Sequence, residues 1–299
     1  MQIASNIVIL PPVNLIGMHV YTNRPEISSA VAKHKEKGLK IGFVPTMGAL
    51  HKGHLSLVEQ AMSNNQYVIV SIFVNPTQFD NPSDLEKYPR TLEQDVALLK
   101  TLSKDIIIYA PSVNDIYDDK VTSTKFSFDG LEHQMEGKFR EGHFDGVGTI
   151  VKKLFEIVTP DNAYFGEKDF QQLAIIKKLV SKHNLGVNVV GCKIHREENG
   201  LAMSSRNTRL TKAHKNAAPF IYKTLLTAKE KFGTKSANQV TKWVEQQFAN
   251  HTLLQLEYFT IADANTLKTV QRKSKYKTYR AFIAVYAGEI RLIDNIALN

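Results

Sequence analysis

Cysteine is almost absent: among 299 residues only Cys192 carries a thiol, so no intramolecular disulfide can form and the thiolates of a structural zinc site are missing. Such usage fits a reducing compartment, and the expected location is the cytoplasm. No apolar run approaches the roughly 20 residues of a membrane span, so no membrane partner is expected. A secretory leader is not expected either, because "MQIASNIVILPPVNLIG" lacks a basic first region and is interrupted by Pro11 and Pro12. Residues 1–17 read as an extension of unknown role, with Met18 an equally good start. Internal repeats and low-complexity tracts are missing. So is the glycine-rich G-x-x-x-x-G-K-[ST] loop, which excludes a P-loop enzyme.

What is present is an ordinary globular composition, 43% hydrophobic and 22% charged, long enough for a sizeable core and two domains. The 38 Lys and Arg outnumber the 29 Asp and Glu by 9, which favours anionic partners such as phosphates or nucleotides. Much of the excess lies in "KTVQRKSKYKTYR", Lys268 to Arg280. This run reads either as a solvated loop or edge, or as a nucleic-acid patch; its aromatics, Tyr276 and Tyr279, are too few for a stacking platform, and no nucleic-acid partner is expected.

From Asn23 to Ile194, helix-period and strand-like segments alternate. "NRPEISSAVAKHKEKG" reads as a helix, "LKIGFVP" as a buried strand, "HLSLVEQAMSN" as a helix and "YVIVSIFVN" as a strand buried on both faces, which together contain a βαβ unit. The alternation continues through "RTLEQDVALLKTLS", "DIIIYAP", "GVGTIVKKLFEIVTP", "NAYFG", "DFQQLAIIKKLVSKH" and "GVNVVGCKI". The pattern predicts an α/β fold, a Rossmann-like, doubly wound, mostly parallel sheet over residues 18–193. Residues 194–299 read as a smaller α+β C-terminal domain, with helices at "KAHKNAAPFIYKTLLTAKEKF" and "SANQVTKWVEQQFAN", then "LQLEYFTIA" and a hairpin turning at Gly288 and Glu289.

Unusual polar groups fall where these strands end. "HKGH" follows the first strand, "NPTQF" (Asn75 to Phe79) the next, and "GEKDFQQ" (Gly166 to Gln172) follows "NAYF". In a doubly wound sheet such segments meet in one crevice. His51 and His54 leave three readings open: a metal pair, structural histidines, or donors to a phosphate. Zinc needs three or four ligands, and "ALHKGH" holds no acidic residue. Met47, Gly48 and Gly53 allow close approach of backbone to ligand, and a helix beginning near His54 aims its positive end at the crevice, which favours phosphate. Lys168 reads as a phosphate-neutralising cation or a plain surface lysine, and Asp169 as a helix cap or a ribose contact. In "GLAMSSRNTRL", Ser204, Ser205 and Arg206 suit a triphosphate on a mobile loop, or the serines cap a helix.

Seven ordered segments, "FVPTMGALHKGH", "VSIFVNPTQF", "YPRTLEQD", "EGHFDGV", "FGEKDFQQ", "GLAMSSRN" and "RLIDN", closely resemble the pantothenate synthetase family, pantoate:beta-alanine ligases of the HIGH-type nucleotidyltransferase superfamily. The match runs essentially from Met18 to Asn299. The resemblance implies a homodimer, with the apolar run in "VSIFVN" as a contact, and an ATP- and Mg²⁺-dependent ligation: ATP and pantoate give pantoyl adenylate and pyrophosphate, then the amine of beta-alanine releases AMP and pantothenate. An adenylyl- or cytidylyltransferase of the same superfamily is the other enzyme reading. Gln78 and Gln172, in family context, favour pantoate.

Carried over by resemblance, Met47, Gly48, Ala49, Leu50, His51, Lys52, Gly53 and His54 line the ATP site, with His54 at the reacting α-phosphate and His51 towards the leaving group. Gly166, Glu167, Lys168 and Asp169 contact ATP, Lys168 on phosphate. Met203, Ser204, Ser205 and Arg206 correspond to the "KMSKS" loop that grips pyrophosphate. Asn75, Gln78, Gln172 and Arg140 are implied for pantoate and beta-alanine, and Asp95 for the Mg²⁺ side. Three positions depart from the family pattern: Glu141 and Asp145 where "RPGHFRGV" is common, and His195 in place of an apolar residue that contacts ATP through its backbone.

Overall fold

The computed structural model describes residues 18–79, 82–118 and 120–299; the extension read over residues 1–17 lies outside them. Its elements, in chain order, begin with β1 (Val20–Tyr21), α1 (Arg24–Glu36), β2 (Ile41–Thr46), α2 (Lys52–Asn64) and β3 (Tyr67–Ile72). Next come α3 (Pro82–Glu86), α4 (Leu92–Lys100), β4 (Ile107–Tyr109), α5 (Val113–Tyr117), α6 (Met135–Phe139) and α7 (His143–Val158). β5 (Asn162–Gly166), α8 (Phe170–Lys182) and β6 (Asn188–Cys192) complete the first sheet. The remainder is α9 (Lys212–Ala217), α10 (Phe220–Thr234), α11 (Ala237–Ala249), β7 (Gln255–Asp263), β8 (Tyr279–Ala287) and β9 (Ile290–Ala297).

The first six strands form one parallel sheet in the order β1-β4-β3-β2-β5-β6, and the last three an antiparallel sheet in the order β7-β8-β9. Side chains alternate across each strand with period two, so Ile41, Phe43, Ile69 and Phe165 enter one core while Val44, Val68, Val70 and Tyr164 enter another on the opposite face. Helices cover both faces. That is why these strands read as continuous apolar runs, and each fully buried Phe or Ile contributes about 1.5–3 kcal/mol.

β3 lies between β4 and β2, with Val70 and Phe73 buried in the chain's own cores. Within "VSIFVN" only Ile72 and Val74 are half-buried, the other four residues being buried within the chain itself. The helix expected from Lys212 to Phe232 is two helices, because Pro219 between them has no N–H to donate and its ring opposes continuous helix. The short pairing of β1 with β4 was invisible in sequence, two residues being too few to show a period. The hairpin turn has Gly288 at φ +62°, at the first central position, where a type II′ turn favours glycine. The basic run from Lys268 is largely an exposed loop, with Lys277 paired to Asp263 at 3.0 Å; its last residue, Arg280, turns inward to Glu167 at 3.2 Å.

The order of strands reverses between β2 and β5, so the crevice of a doubly wound sheet opens there, beyond their carboxyl ends. One wall of it is set by a close approach. A β-carbon on Gly146 in α7 would lie 2.2 Å from the Thr77 carbonyl oxygen and 2.8 Å from the Gln78 α-carbon. Gly146→Ala is therefore expected to cost about 1–3 kcal/mol as the "NPTQ" turn is pushed away; an unchanged melting temperature would show that the two elements do not pack this closely.

Candidate active site

α2 starts two residues before His54, and that shift decides what the two histidines can do. His51 caps the helix: its Nδ1 accepts from the Gly53 N–H at 3.1 Å, while Nδ1 of His54 accepts from the His51 N–H at 3.3 Å. A ring nitrogen that accepts carries no proton, so in each neutral imidazole the proton sits on Nε2. The ring centroids are 4.1 Å apart, and both residues line a cavity of about 270 Å³ at the end of β2. Burial, then the Lys168 charge and His195, lower His51 from 6.5 to about 4. Burial, then His51 and Lys168, lower His54 to about 3. Near neutral pH both are uncharged donors.

A metal on Nε2 would require the proton on Nδ1, where a backbone N–H already points. Among the described residues no three His, Cys, Asp or Glu groups gather as a metal site. The metal reading of the pair therefore does not fit, whereas a phosphate oxygen suits two N–H donors at a helix N-terminus.

The loop before α2 is held from behind. Gly48 and Ala49 are both left-handed, at φ +80° and +50°, a conformation costly for alanine. The Asp95 carboxylate on α4 accepts from the Ala49 N–H at 3.0 Å, the Leu50 N–H at 2.7 Å and the Thr91 hydroxyl at 3.2 Å, and it is 2% exposed. This differs from the expected magnesium-side carboxylate: both oxygens face the loop's own N–H groups. Gly48, Ala49 and Leu50 thus shape the loop, and Lys52 is exposed; none of the four lines the cavity.

Opposite the histidines stands the turn after β5. Lys168, 20% exposed at its side chain, lines the cavity with Gly166, Asp169 and Gln172, which excludes the plain surface-lysine reading. Asp169 precedes α8 but makes no side-chain capping bond, so the cap expected there is not formed. Glu167 points away, to Arg280. The turn is fixed from the C-terminal sheet, where Asn295 donates to the carbonyls of Glu167 and Lys168, both at 2.9 Å.

Met203, Ser204, Ser205, Arg206 and exposed His195 close the same cavity. The His195 carbonyl accepts from the Met203 N–H at 3.0 Å, tying that loop to the end of β6. Ser204 caps a single turn, its Oγ accepting from the Arg206 N–H at 3.3 Å, as the cap reading expected.

At the "NPTQ" end, Asn75 is 1% exposed and fully engaged: Nδ2 donates to Gln78 Oε1 and the Gly146 carbonyl at 3.1 and 3.2 Å, and Oδ1 accepts from the Tyr117 hydroxyl at 2.5 Å. It lines the cavity and orients Gln78. His143 was missed in sequence, although it opens α7 within the quoted "EGHFDGV" and follows Gly142 at φ +72°. Its Nδ1 donates to the Gln78 carbonyl at 2.8 Å, and its Nε2 lies 3.2 Å from Arg140. Asp145 accepts from the Phe126 N–H at 3.0 Å and pairs with Lys125 at 2.9 Å, a structural role that accounts for one departure from the family pattern. A second cleft, about 460 Å³, adjoins the first and shares Arg140, Lys168, Gln172 and Arg206 with it.

The family profile described as Pantoate-beta-alanine ligase matches residues 19–297. The chain belongs to this family. It is 60% identical to the pantothenate synthetase of Flavobacterium psychrophilum over 282 residues, 94% of this chain and all of the relative. It is 58% identical to that of Christiangramia forsetii over the same extent. The crystal structure of the pantothenate synthetase from Thermus thermophilus superposes with a TM-score of 0.86 at 37% identity, covering 94% of this chain and 99% of that one. The pantoate-beta-alanine ligase of Francisella tularensis, complexed with beta-gamma ATP and beta-alanine, superposes at 0.77 and 38% identity, covering 94% and 98%. As a family member the chain is a ligase.

Because both histidines have folded values below 6.5, they favour the folded state fully above that pH, and the contribution is lost as pH falls from 6.5 towards about 4 and 3. Their imidazole resonances are expected to remain those of neutral, Nε2-protonated rings down to about pH 5. Titration of either ring near 6.5 in an NMR series would contradict the assignment.

Proposed function

We propose that this chain joins pantoate to beta-alanine in two steps within the one crevice. In the first, a pantoate carboxylate oxygen attacks the α-phosphorus of ATP and pyrophosphate leaves, forming pantoyl adenylate. In the second, the beta-alanine amine attacks the acyl carbon, AMP leaves, and the amine proton is lost to solvent. The observation that carries the reading is a single cavity lined both by neutral imidazole donors, with Lys168 and Arg206, and by the amides of Gln78 and Gln172.

Neutral donors are well matched to the first step. Charge shifts onto the bridging and pyrophosphate oxygens as the bond to phosphorus breaks, and fixed N–H groups stabilise it without reorganising. His54 stands at the α-phosphate and His51 towards the leaving group, with Lys168 neutralising phosphate and Met203 to Arg206 holding pyrophosphate. Amides both donate and accept, which suits a substrate carrying hydroxyls and a carboxylate. No side chain need be a nucleophile; alignment and charge stabilisation suffice.

Among the described residues no group of three His, Cys, Asp or Glu side chains makes a resident magnesium site: Asp95 faces backbone N–H groups, Glu167 faces Arg280, and Asp169 is a lone carboxylate in the cavity. Magnesium belongs in this reading to the nucleotide, as part of the substrate, and no step is routed through it. The same reading has the protein acting in the cytoplasm as a homodimer, the latter checked by analytical ultracentrifugation.

Pyrophosphate release should require ATP and pantoate together, and AMP release beta-alanine as well. ATP turnover indifferent to pantoate would sink the proposal. His54→Ala should lower the first step by about 100- to 1000-fold with the melting curve retained; wild-type turnover by that variant would remove His54 from the chemistry.

A further inference from the structure

We infer that Asp95 is a positioning residue for the phosphate-binding histidines, acting through the left-handed Gly48–Ala49 turn rather than through a metal ion; this rests on the two-step reading above. Three observations converge on it. The carboxylate has two oxygens, and they receive the N–H groups of two consecutive residues, Ala49 and Leu50, at 3.0 and 2.7 Å. An acceptor-only group is needed there, since any donor would face those N–H groups. The turn it grips holds an alanine at φ +50°, a conformation a free loop would leave. Finally, the carboxylate packs directly against the turn and leaves little room for a side chain there: a β-carbon on Gly48 would lie 3.0 Å from Asp95 Oδ2 and 3.2 Å from Ile72.

The consequence runs directly into the histidines. Leu50 precedes His51, whose backbone N–H is the donor to His54 Nδ1 and whose ring accepts from Gly53. Fixing the Leu50 N–H fixes the direction in which the chain enters α2, and with it the peptide that assigns the His54 proton to Nε2. Thr91, one helical turn before Asp95, adds its hydroxyl to Oδ2 at 3.2 Å and keeps the carboxylate in this rotamer. Asp95 touches no reacting atom. It decides which nitrogen of each histidine carries the proton.

Asp95→Asn tests this with little change of volume, because an amide replaces one acceptor by a donor facing an N–H. The measurements are pantoate-dependent pyrophosphate release across a magnesium titration at saturating ATP, and ¹⁵N spectra of histidine-labelled protein without nucleotide. A fall in kcat of about 100-fold is expected, with the half-saturating magnesium concentration and the KM for pantoate within about twofold of wild type, and with His51 and His54 no longer purely Nε2-protonated. Thr91→Ala should give a smaller loss of the same kind, which keeps the test available if Asp95→Asn does not fold. A magnesium requirement that rises with the loss of rate, and activity restored by excess magnesium, would make Asp95 a metal-side ligand and overturn the inference. Unchanged histidine spectra would also overturn it, whatever the rate. The spectra need no substrate, so they stand even if the wild-type protein fails to use pantoate.

Discussion

Everything at the crevice depends on the pairing of β2 with β5, where Gly42 and Phe43 register with Asn162 and Ala163. It is the seam at which the sheet stops growing in one direction and starts in the other. Chain leaving β2 and chain leaving β5 must diverge to reach helices on different sides, and the gap between them is the cavity. β3, beside β2, contributes the "NPTQ" turn from the same edge. Three peptide segments distant in sequence are thereby delivered to one place without any of them needing to recognise the others.

Within that gap, backbone geometry rather than side-chain acidity sets the chemistry. The capping arrangement at the start of α2 uses imidazole nitrogens as acceptors where serine or aspartate is usual, which leaves the other nitrogen of each ring as a donor. Burial and nearby Lys168 then keep the rings uncharged. Uncharged N–H donors thus stand in the same cavity as the cations Lys168 and Arg206, so phosphate charge is met by the cations and directed hydrogen bonding by the imidazoles.

Much of this was legible in the sequence. Continuous apolar runs between helix-period segments predicted the parallel sheet, because strands covered on both faces have no polar face to show. His51, His54 and Lys168 stood out as polar groups where strands end, and Arg206 as a cation beside two serines in a polar loop, and the structure brings the four together. Asp95 was noticed as a carboxylate for the magnesium side, but its two oxygens turn to the Ala49 and Leu50 N–H groups. Whether a carboxylate faces an ion or a peptide depends on a left-handed turn 46 residues away in the chain, at Ala49, which no local pattern encodes. The bonds that hold Asn75, and the absence of a side-chain cap at Asp169, were equally hidden, since tertiary packing sets them, although both residues line the cavity. His143 hid inside a recognised segment whose own function was unassigned.

The bonds from Asn295 to the Glu167 and Lys168 carbonyls have a mechanical consequence. By sequence Lys168 belongs to the parallel sheet, yet its peptide hangs from β9 of the other one, and Arg280 of β8 grips the adjacent Glu167. The lysine is therefore tied at its peptide to the small sheet, while the histidines follow directly from β2. The position of the cation relative to the two N–H donors is thus set jointly by both sheets, one holding the histidines and the other the lysine's peptide.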